Sequence, residues 1–422
     1  MAHKTLVNGT AYEITGGVTL VAGVSYSIKN GKALIGGTAY DISFLLPPAV
    51  LDMWSNDYSD GGDSDNNYIR CITYADGYWV VGGQYGNDNE SYARIAYATS
   101  PDGTWAIKDL WSDGGIACIT YANGYWVVGG EYSSGITYYA RIAYSTSLAG
   151  TWTTKNLWSD GSNRSGVLKC VTYANGYWVV GGRQGHVARI AYSTSPDGTW
   201  AIKDLWSRDE DSNEYTGITC ITYANGYWVV GGRYDYSSSD SRARIAYSTS
   251  LDGTWTNKDL WSSKGRGYGQ ITCITYADGY WVVGGFHRLN TTGVSDYARI
   301  AYATSLDGTW AIKDLWSGDG GNGYSRINCI AYADGYWVVG GEHRDGGVSS
   351  ARIACSTSLD GTWANNDLWS SELSGSNTYN PIDCIAYANG YWVVGGRYFS
   401  DSDTAYAKLA YAESVEELGN TK

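Results

Sequence analysis

The sequence predicts an all-β fold: a seven-bladed β-propeller of four-stranded antiparallel blades at 49–422, preceded by a small β-repeat module at 1–48. Three observations predict it. One unit recurs seven times, marked by cysteines at 71, 118, 170, 220, 273, 329 and 384, about 47 to 56 residues apart, which is the period of propeller blades. Each unit carries four short runs of β-forming residues, the first two joined by Asp-Gly or Asn-Gly, the dipeptides that close two-residue hairpins. The composition, with 56 Gly, 20 Trp and 39 Tyr but only 3 Phe, favours tight turns and strands over helices.

Taken in order, "TLVNGTAYEI", "TLVAGVSYSI" and "ALIGGTAYDI" begin at Thr5, Thr19 and Ala33. They form a short β repeat too small to bury much by itself, which suits oligomerisation or docking on a larger assembly. "VLDMWS" (Val50 to Ser55) follows, and then the seven copies, each reading "CITYA", a turn, "YWVVGG", "ARIAYSTS" and "TWAIKDLWS" or close variants. A lone four-stranded sheet cannot cover both of its apolar faces, whereas a ring of such sheets covers each face with a neighbour.

The tryptophans account for themselves within this frame. Seven follow "GY" (Trp79 to Trp392), seven precede Ser (Trp54 to Trp369) and six follow "GT" (Trp105 to Trp363). The last copy stops after "AKLAYAES", so the outer strand of the last blade is expected from Val50 to Ser55, which also removes an exposed edge. Antiparallel pairing then sets the Arg of "ARIAY" opposite the Asp of "DLW": Arg94 with Asp109, Arg141 with Asn156, and Lys408 with Asp52 across the closure. Seven of the 8 Cys hold one position on the innermost strand and there is no C-x-x-C pair, which predicts buried, reduced thiols.

The turn "STSPDGTW" resembles the Asp-box of sialidase-type propellers, S-x-D-x-G-x-x-W, although Asp102 and Gly103 are adjacent and Ala149 takes the Asp position in the second copy. The "GGTAYDI" repeats and the Trp-rich propeller resemble tail- and virion-associated proteins encoded by phages and prophages of gut bacteria. That resemblance implies a virion component, assembled in a host cytoplasm and docked to other tail proteins through residues 1–48, with homo-oligomerisation among the expected associations.

A net charge of −13 without a basic run argues against a nucleic-acid partner. No apolar stretch at the start reads as a signal peptide, and none reaches membrane-spanning length, so no membrane insertion is expected. "DSDNN" (Asp63 to Asn67) lacks the Gly and terminal Glu of a calcium loop, and neither a metal nor a cofactor is expected. The four His lie far apart with no nucleophile signature beside them. The sialidase resemblance implies an arginine triad for a substrate carboxylate and a Tyr with an acidic partner, but the Arg of "ARIAY" recurs in six blades, as a structural residue would. On these motif tests the sequence reads as a non-enzyme with no catalytic residues.

Length varies on one face only. The loops between second and third strands and the blade-to-blade connections differ from copy to copy, whereas the first-second and third-fourth turns hardly change. Repeat proteins place such variation on a binding face, and Tyr among Ser, Gly, Asn and Asp is a paratope-like composition. The bland alternative is packing between polar loops, which suits the ring residue recurring two places after each Gly-Gly (Tyr85, Tyr132, Tyr234, His287, His343, Tyr398). Residues that break the repeat are the better candidates: Tyr58, Tyr68, Tyr138, Tyr139, Tyr236, Tyr268, Arg288, Tyr324, Arg344, Tyr379 and Phe399. The expected function is receptor binding, a tail-fibre-like adhesin attaching to a cell-surface glycan or protein. A sialidase-like glycoside hydrolase and a purely structural virion component are the alternatives.

Overall fold

The computed structural model describes residues 48–418 apart from 56–66, 87–89, 161–165, 208–215, 238–239, 265–267, 290–294, 319–323, 346, 373–378 and 401–403, and the backbone of four strands before residue 43. Those four strands, His3–Val7, Thr10–Ile14, Gly31–Ile35 and Thr38–Ile42, form one antiparallel sheet.

Seven four-stranded antiparallel sheets follow, and their innermost strands touch one another in a closed circle. Blade 1 is built from Tyr68–Ala75, Tyr78–Gly86, Ser91–Ala98 and Ala106–Ser112, and the other blades repeat it. The first hairpin closes through Asp76 and Gly77 at φ 51° and 79°, the left-handed pair that a type I′ turn requires. The only helix among the described residues is Val415–Leu418.

Blade 7 takes its outer strand from Ala49–Ser55, with Ala407 opposite Trp54 and Lys408 opposite Asp52. The expected ladder is present along the sheets. Arg94 meets Asp109 at 2.6 Å, Arg141 donates to Asn156 at 2.7 Å, and Lys408 meets Asp52 at 2.7 Å across the closure.

Burial follows from stacking. Trp79, Trp126, Trp178, Trp228, Trp281, Trp337 and Trp392 are fully buried between blades, each against a tyrosine of its own first strand, as with Tyr74 and Trp79 at 5.1 Å. The outer-strand tryptophans latch one blade to the next through Nε1, Trp111 to the Glu131 carbonyl at 3.0 Å and Trp369 to that of Arg397 at 2.9 Å. On the opposite face Lys108 Nζ donates to the Ala149 and Gly150 carbonyls of the neighbouring turn at 2.9 and 2.7 Å. All 8 cysteines are free, and desolvation pushes the Cys118 thiol up to about 12.

Candidate active site

The Gly-Gly pairs do more than permit packing. In every blade the register between first and second strands slips by one residue just before the repeat cysteine, between Ile69 and Cys71 in blade 1 and between Ile382 and Cys384 in blade 7. A Cβ on Gly83 would stand 1.8 Å from the Tyr68 carbonyl oxygen, so glycine is what lets the two strands close up around this bulge. The bulged residue is left unpaired on the innermost strand and faces the axis. Seven residues share that slot: Arg70, Ala117, Lys169, Thr219, Thr272, Asn328 and Asp383.

These seven divide into two groups. Thr219 and Thr272 donate to the carbonyls of Ile271 and Ile327 in the next blade, and Asn328 Nδ2 donates to the Ile382 carbonyl at 3.0 Å and to Asp383 Oδ1 at 3.1 Å. They staple blades 4, 5 and 6 to their neighbours. On the other side of the axis the slot holds Asp383, Arg70, Ala117 and Lys169, three charged side chains and a methyl group.

A second ring lies just outside the first, at the residue after each Gly-Gly. It includes Gln84, Glu131, Arg183, Glu342 and Arg397, and the preceding blade's tryptophan holds each carbonyl, as Trp158 holds that of Arg183 at 2.9 Å and Trp316 that of Glu342 at 3.0 Å. Tyr68 completes the group by donating its phenol to Gln84 Oε1, while Arg70 lies over the Tyr68 ring at 4.4 Å and Arg326 pairs with Glu342 at 2.8 Å. In a chain of net charge −13, five cationic groups (Arg70, Lys169, Arg183, Arg326, Arg397) thus stand among three carboxylates (Glu131, Glu342, Asp383) around one end of the axis.

The wall surrounds these groups without sealing them off. Arg70 is exposed and Lys169 and Asp383 are half-buried, yet all three are desolvated. Desolvation raises the Asp383 carboxyl above its ordinary value against the opposing pull of Arg70, Arg326 and Arg397. It brings the Lys169 amine down to about 8, with repulsion from Arg70 and Arg183 outweighing the attraction of Glu131. Desolvation also acts against the Arg70 and Arg326 guanidiniums, but their acidic neighbours more than compensate and both are raised. Burial pushes the Tyr68 phenol up, against Arg70 and with the help of Glu131. Opposed shifts on groups in one cleft are the arrangement that acid–base chemistry uses.

The residues singled out from sequence fall into three sets. Tyr58 lies outside the described residues. Tyr68 belongs to the axial group. Tyr268, Arg288, Tyr324, Arg344, Tyr379 and Phe399 are brought together in one chain of alternating rings and guanidiniums over blades 5 to 7: Arg288 sits over Tyr324 at 4.6 Å, Arg344 over Tyr379 at 4.4 Å, and Arg397 over Tyr379 at 5.7 Å and Phe399 at 5.0 Å. Arg288 is paired with Asp296 at 2.5 Å, so part of this chain packs loops together. Tyr139 lies 5.7 Å from Tyr132, and Tyr138 stands in register with Asp160 on blade 2. Tyr236 is 59% exposed, with Arg242 over its ring at 4.0 Å. Of the recurring rings after Gly-Gly, Tyr85, Tyr132 and Tyr234 pack under the ladder arginines, Arg94 standing 3.8 Å from the Tyr85 ring, whereas His287 and His343 hydrogen-bond through Nε2 to the Ser262 and Ser317 carbonyls at 3.2 Å.

No protein-family model matches the chain, and a search of curated proteins gives no match. Solved structures share the fold. The polysaccharide lyase Uly1 is 12% identical at a TM-score of 0.51, over 89% of this chain and 93% of the lyase. The intramolecular trans-sialidase of Ruminococcus gnavus is 11% identical at 0.43, over 88% of this chain and 99% of that one. A sialidase of Trypanosoma rangeli is 10% identical at 0.42, over 88% of this chain, which spans 59% of that protein's length.

The expectation of a non-enzyme is corrected to this extent: the fold is one that enzymes also use, the polysaccharide lyase Uly1 among them, and a likeness at 12% identity is one of fold. The motif search overlooked the axis for a physical reason. In a ring each blade contributes one or two groups, so the site is spread over the whole chain and leaves no local signature. Its one sequence signal is the residue before each repeat cysteine, which changes in nearly every copy while its neighbours stay almost constant.

Proposed function

We propose that the chain is a sialidase-like carbohydrate-active propeller that binds a carboxylate-bearing sugar at the axis and cleaves the glycosidic link beside it. One observation carries this reading: Arg70 and Arg326, each the only arginine at its repeat position, and Arg397, from the ring that also holds Arg183 and Arg233, all act on the carboxylate of Asp383. Guanidiniums bind carboxylates with paired, charge-assisted hydrogen bonds, and several converging on one point favour an acidic ligand over a neutral one. The ladder arginines, which the sequence reading weighed and set aside, are held along the sheets by Asp109, Asp204, Asp259, Asp314 and Asp367, or by Asn156 opposite Arg141.

The test is to incubate the purified chain with sialosides, uronate-containing polysaccharides and neutral glycans, and to measure new reducing ends or released acidic sugar. Cleavage confined to acidic substrates, lost on Arg326→Gln and Arg397→Gln, supports the reading; equal action on neutral glycans, or action on none, refutes it. Acidic glycan bound but left intact would favour a second reading, receptor binding by a tail-associated protein anchored through residues 1–48. Exposed Tyr236 with its Arg242 partner, on the face where loop length varies, is the observation that favours it.

A further inference from the structure

The turn between third and fourth strands of each blade rests on the blade before it. Leu306 and Trp310 of blade 5 pack with Tyr247 and Leu260 of blade 4, Leu359 and Trp363 of blade 6 with Tyr280 and Tyr302 of blade 5, and Trp105 of blade 1 with Tyr391 and Tyr411 of blade 7. From the covered blade, Lys108, Lys155, Lys203, Lys258 and Lys313 donate to carbonyls of the covering turn. Blade 6 is the exception, because blade 7 takes its outer strand from Ala49–Ser55 and has no such turn. The chain that follows blade 7 fills the gap. Val415 and Leu418, 3% and 0% exposed, join the core shared by blades 6 and 7 beside Leu368, Tyr336 and Cys355. Tyr336 donates its hydroxyl to Glu416 Oε1 at 2.6 Å, and Asn366 Nδ2 donates to the Leu418 carbonyl at 2.9 Å.

Blade 6 departs from the repeat at two positions that this segment touches. Cys355 stands where the other blades have Tyr97, Tyr144, Tyr192, Tyr247, Tyr302 and Tyr411, and Asn366 stands where five blades have the lysine. Elsewhere that tyrosine lies edge-on to the tyrosine that opens the second strand, as Tyr302 does to Tyr280 at 6.1 Å. In blade 6 the smaller thiol leaves the space in which the segment sits. We infer that residues 413–418 are a lock: they stand in for the missing turn of blade 7, and the small side chains at 355 and 366 are what admits them. The ring is thus fastened at both chain ends, by the paired strand 49–55 along its outer edge and by the C-terminal segment at the blade 6–7 junction. The two fastenings differ in kind. A single helical turn does not hold itself in water, so this one, capped by Ser414 Oγ accepting from the Glu417 N–H at 3.2 Å, depends on its docking. It adds no strand to any sheet, so it can leave while every blade stays paired, and its departure uncovers Cys355. The lock is independent of what the axis binds.

The experiment is a double-mutant cycle in the full chain with Cys355→Tyr and Leu418→Asp, reading the melting temperature and the rate at which an alkylating reagent labels Cys355 in the native protein. Tyrosine is the residue of the other blades, and a change toward a repeat's consensus ordinarily stabilises. Here Cys355→Tyr should lower the melting temperature, because the added ring collides with the seated segment. Leu418→Asp, which puts a charge at a buried position, should lower it too. It should also speed labelling of Cys355 by about tenfold or more through local opening, with the inner-strand cysteines still protected. The two losses should not add, since with the segment expelled the introduced ring has room beside Tyr336. Leu418→Ala supports the same cycle if Leu418→Asp does not fold. A melting temperature unchanged or raised by Cys355→Tyr, or losses that add, would overturn the lock. Labelling of Cys355 only together with the inner-strand thiols would overturn it as well, because the segment would then leave only when the blades themselves open.

Discussion

Trp54 Nε1 donates to the backbone carbonyl of Gln84 at 2.9 Å. It thereby links the strand that closes blade 7 to the residue that accepts the Tyr68 phenol in blade 1. The same bond recurs at the other blade junctions; here it joins blade 1 to the one outer strand that comes from the far end of the chain from the rest of its blade. Trp54→Phe keeps most of the buried ring and leaves that carbonyl unsatisfied, which costs about 1–3 kcal/mol. A lower denaturation midpoint is expected, by an amount close to that of Trp206→Phe at the blade 3–4 junction, where Trp206 donates to the Arg233 carbonyl at 3.1 Å; an unchanged midpoint would count against the bond.

Removing residues 1–56 strips blade 7 of its outer strand, including the Lys408–Asp52 pair at 2.7 Å. The new edge then exposes backbone donors and acceptors that the ring otherwise satisfies. The truncated chain should melt well below the full one and aggregate as it unfolds. Asp52→Asn alone should cost at most about 1 kcal/mol, because Asp52 is half exposed and exposed ion pairs contribute little. Calorimetry on both variants separates loss of the strand from loss of the charge.

Acid should weaken blade 4 through Asp259. Burial raises its carboxyl, but hydrogen bonds and charge from Arg244 and Arg242 outweigh that and hold it below its ordinary value. A carboxyl depressed in the folded state stabilises above its unfolded pKa, about 3.9, and that contribution is lost as pH falls through the lower folded value. The melting temperature of Asp259→Asn should therefore be lower than that of the parent at neutral pH, and the difference should shrink on acidification below about pH 4.

Most of the fold was legible in the sequence because a propeller states itself repeatedly. The Asn-Gly turns, the alternating strands and the missing outer strand of the last copy each point to the same ring, and the Arg94–Asp109 and Lys408–Asp52 pairs follow from antiparallel register alone. The axial site was less legible. That Arg70, Lys169 and Asp383 meet depends on a bulge at the Gly-Gly pairs, which turns one residue per blade out of the period-2 alternation, and on closure of the ring, which brings positions some three hundred residues apart to one point. The rule that departures from the repeat mark candidate residues selects the axial slot too, inside the framework, alongside the loop residues it selects from sequence. Tyr68 was found from sequence as a loop-flanking tyrosine, whereas its neighbours were not.

The thiols should be unreactive in the native protein. Cys118 is pushed up to about 12 by desolvation, and the thiolate is the reactive form. An alkylating reagent at neutral pH should label none of the inner-strand cysteines before unfolding and all of them afterwards without reductant. Labelling that precedes loss of the fluorescence of the buried tryptophans would show that the blades open locally.

Ala117 offers a test of the axial clamp. It is the one small side chain among the four slot residues on the charged side of the axis, between Arg70 and Lys169 in blade order, and the equivalent slots in blades 4 and 6 hold threonine and asparagine with the same bulge. Ala117→Gln should therefore fold with nearly parental stability, since this slot takes a polar side chain in blades 4 to 6. On the proposed function it should weaken binding of acidic glycans by about tenfold or more, a loss of about 1.4 kcal/mol, because a larger side chain then stands beside Arg70 in blade order. Thr272→Gln, on the side of the axis where the slot residues are stapled to the next blade, supplies the control: it should cost stability through its lost bond to the Ile327 carbonyl and leave binding of acidic glycans nearly unchanged. The reverse pattern would place the ligand on the stapled side and overturn the clamp of Arg70, Arg326 and Arg397.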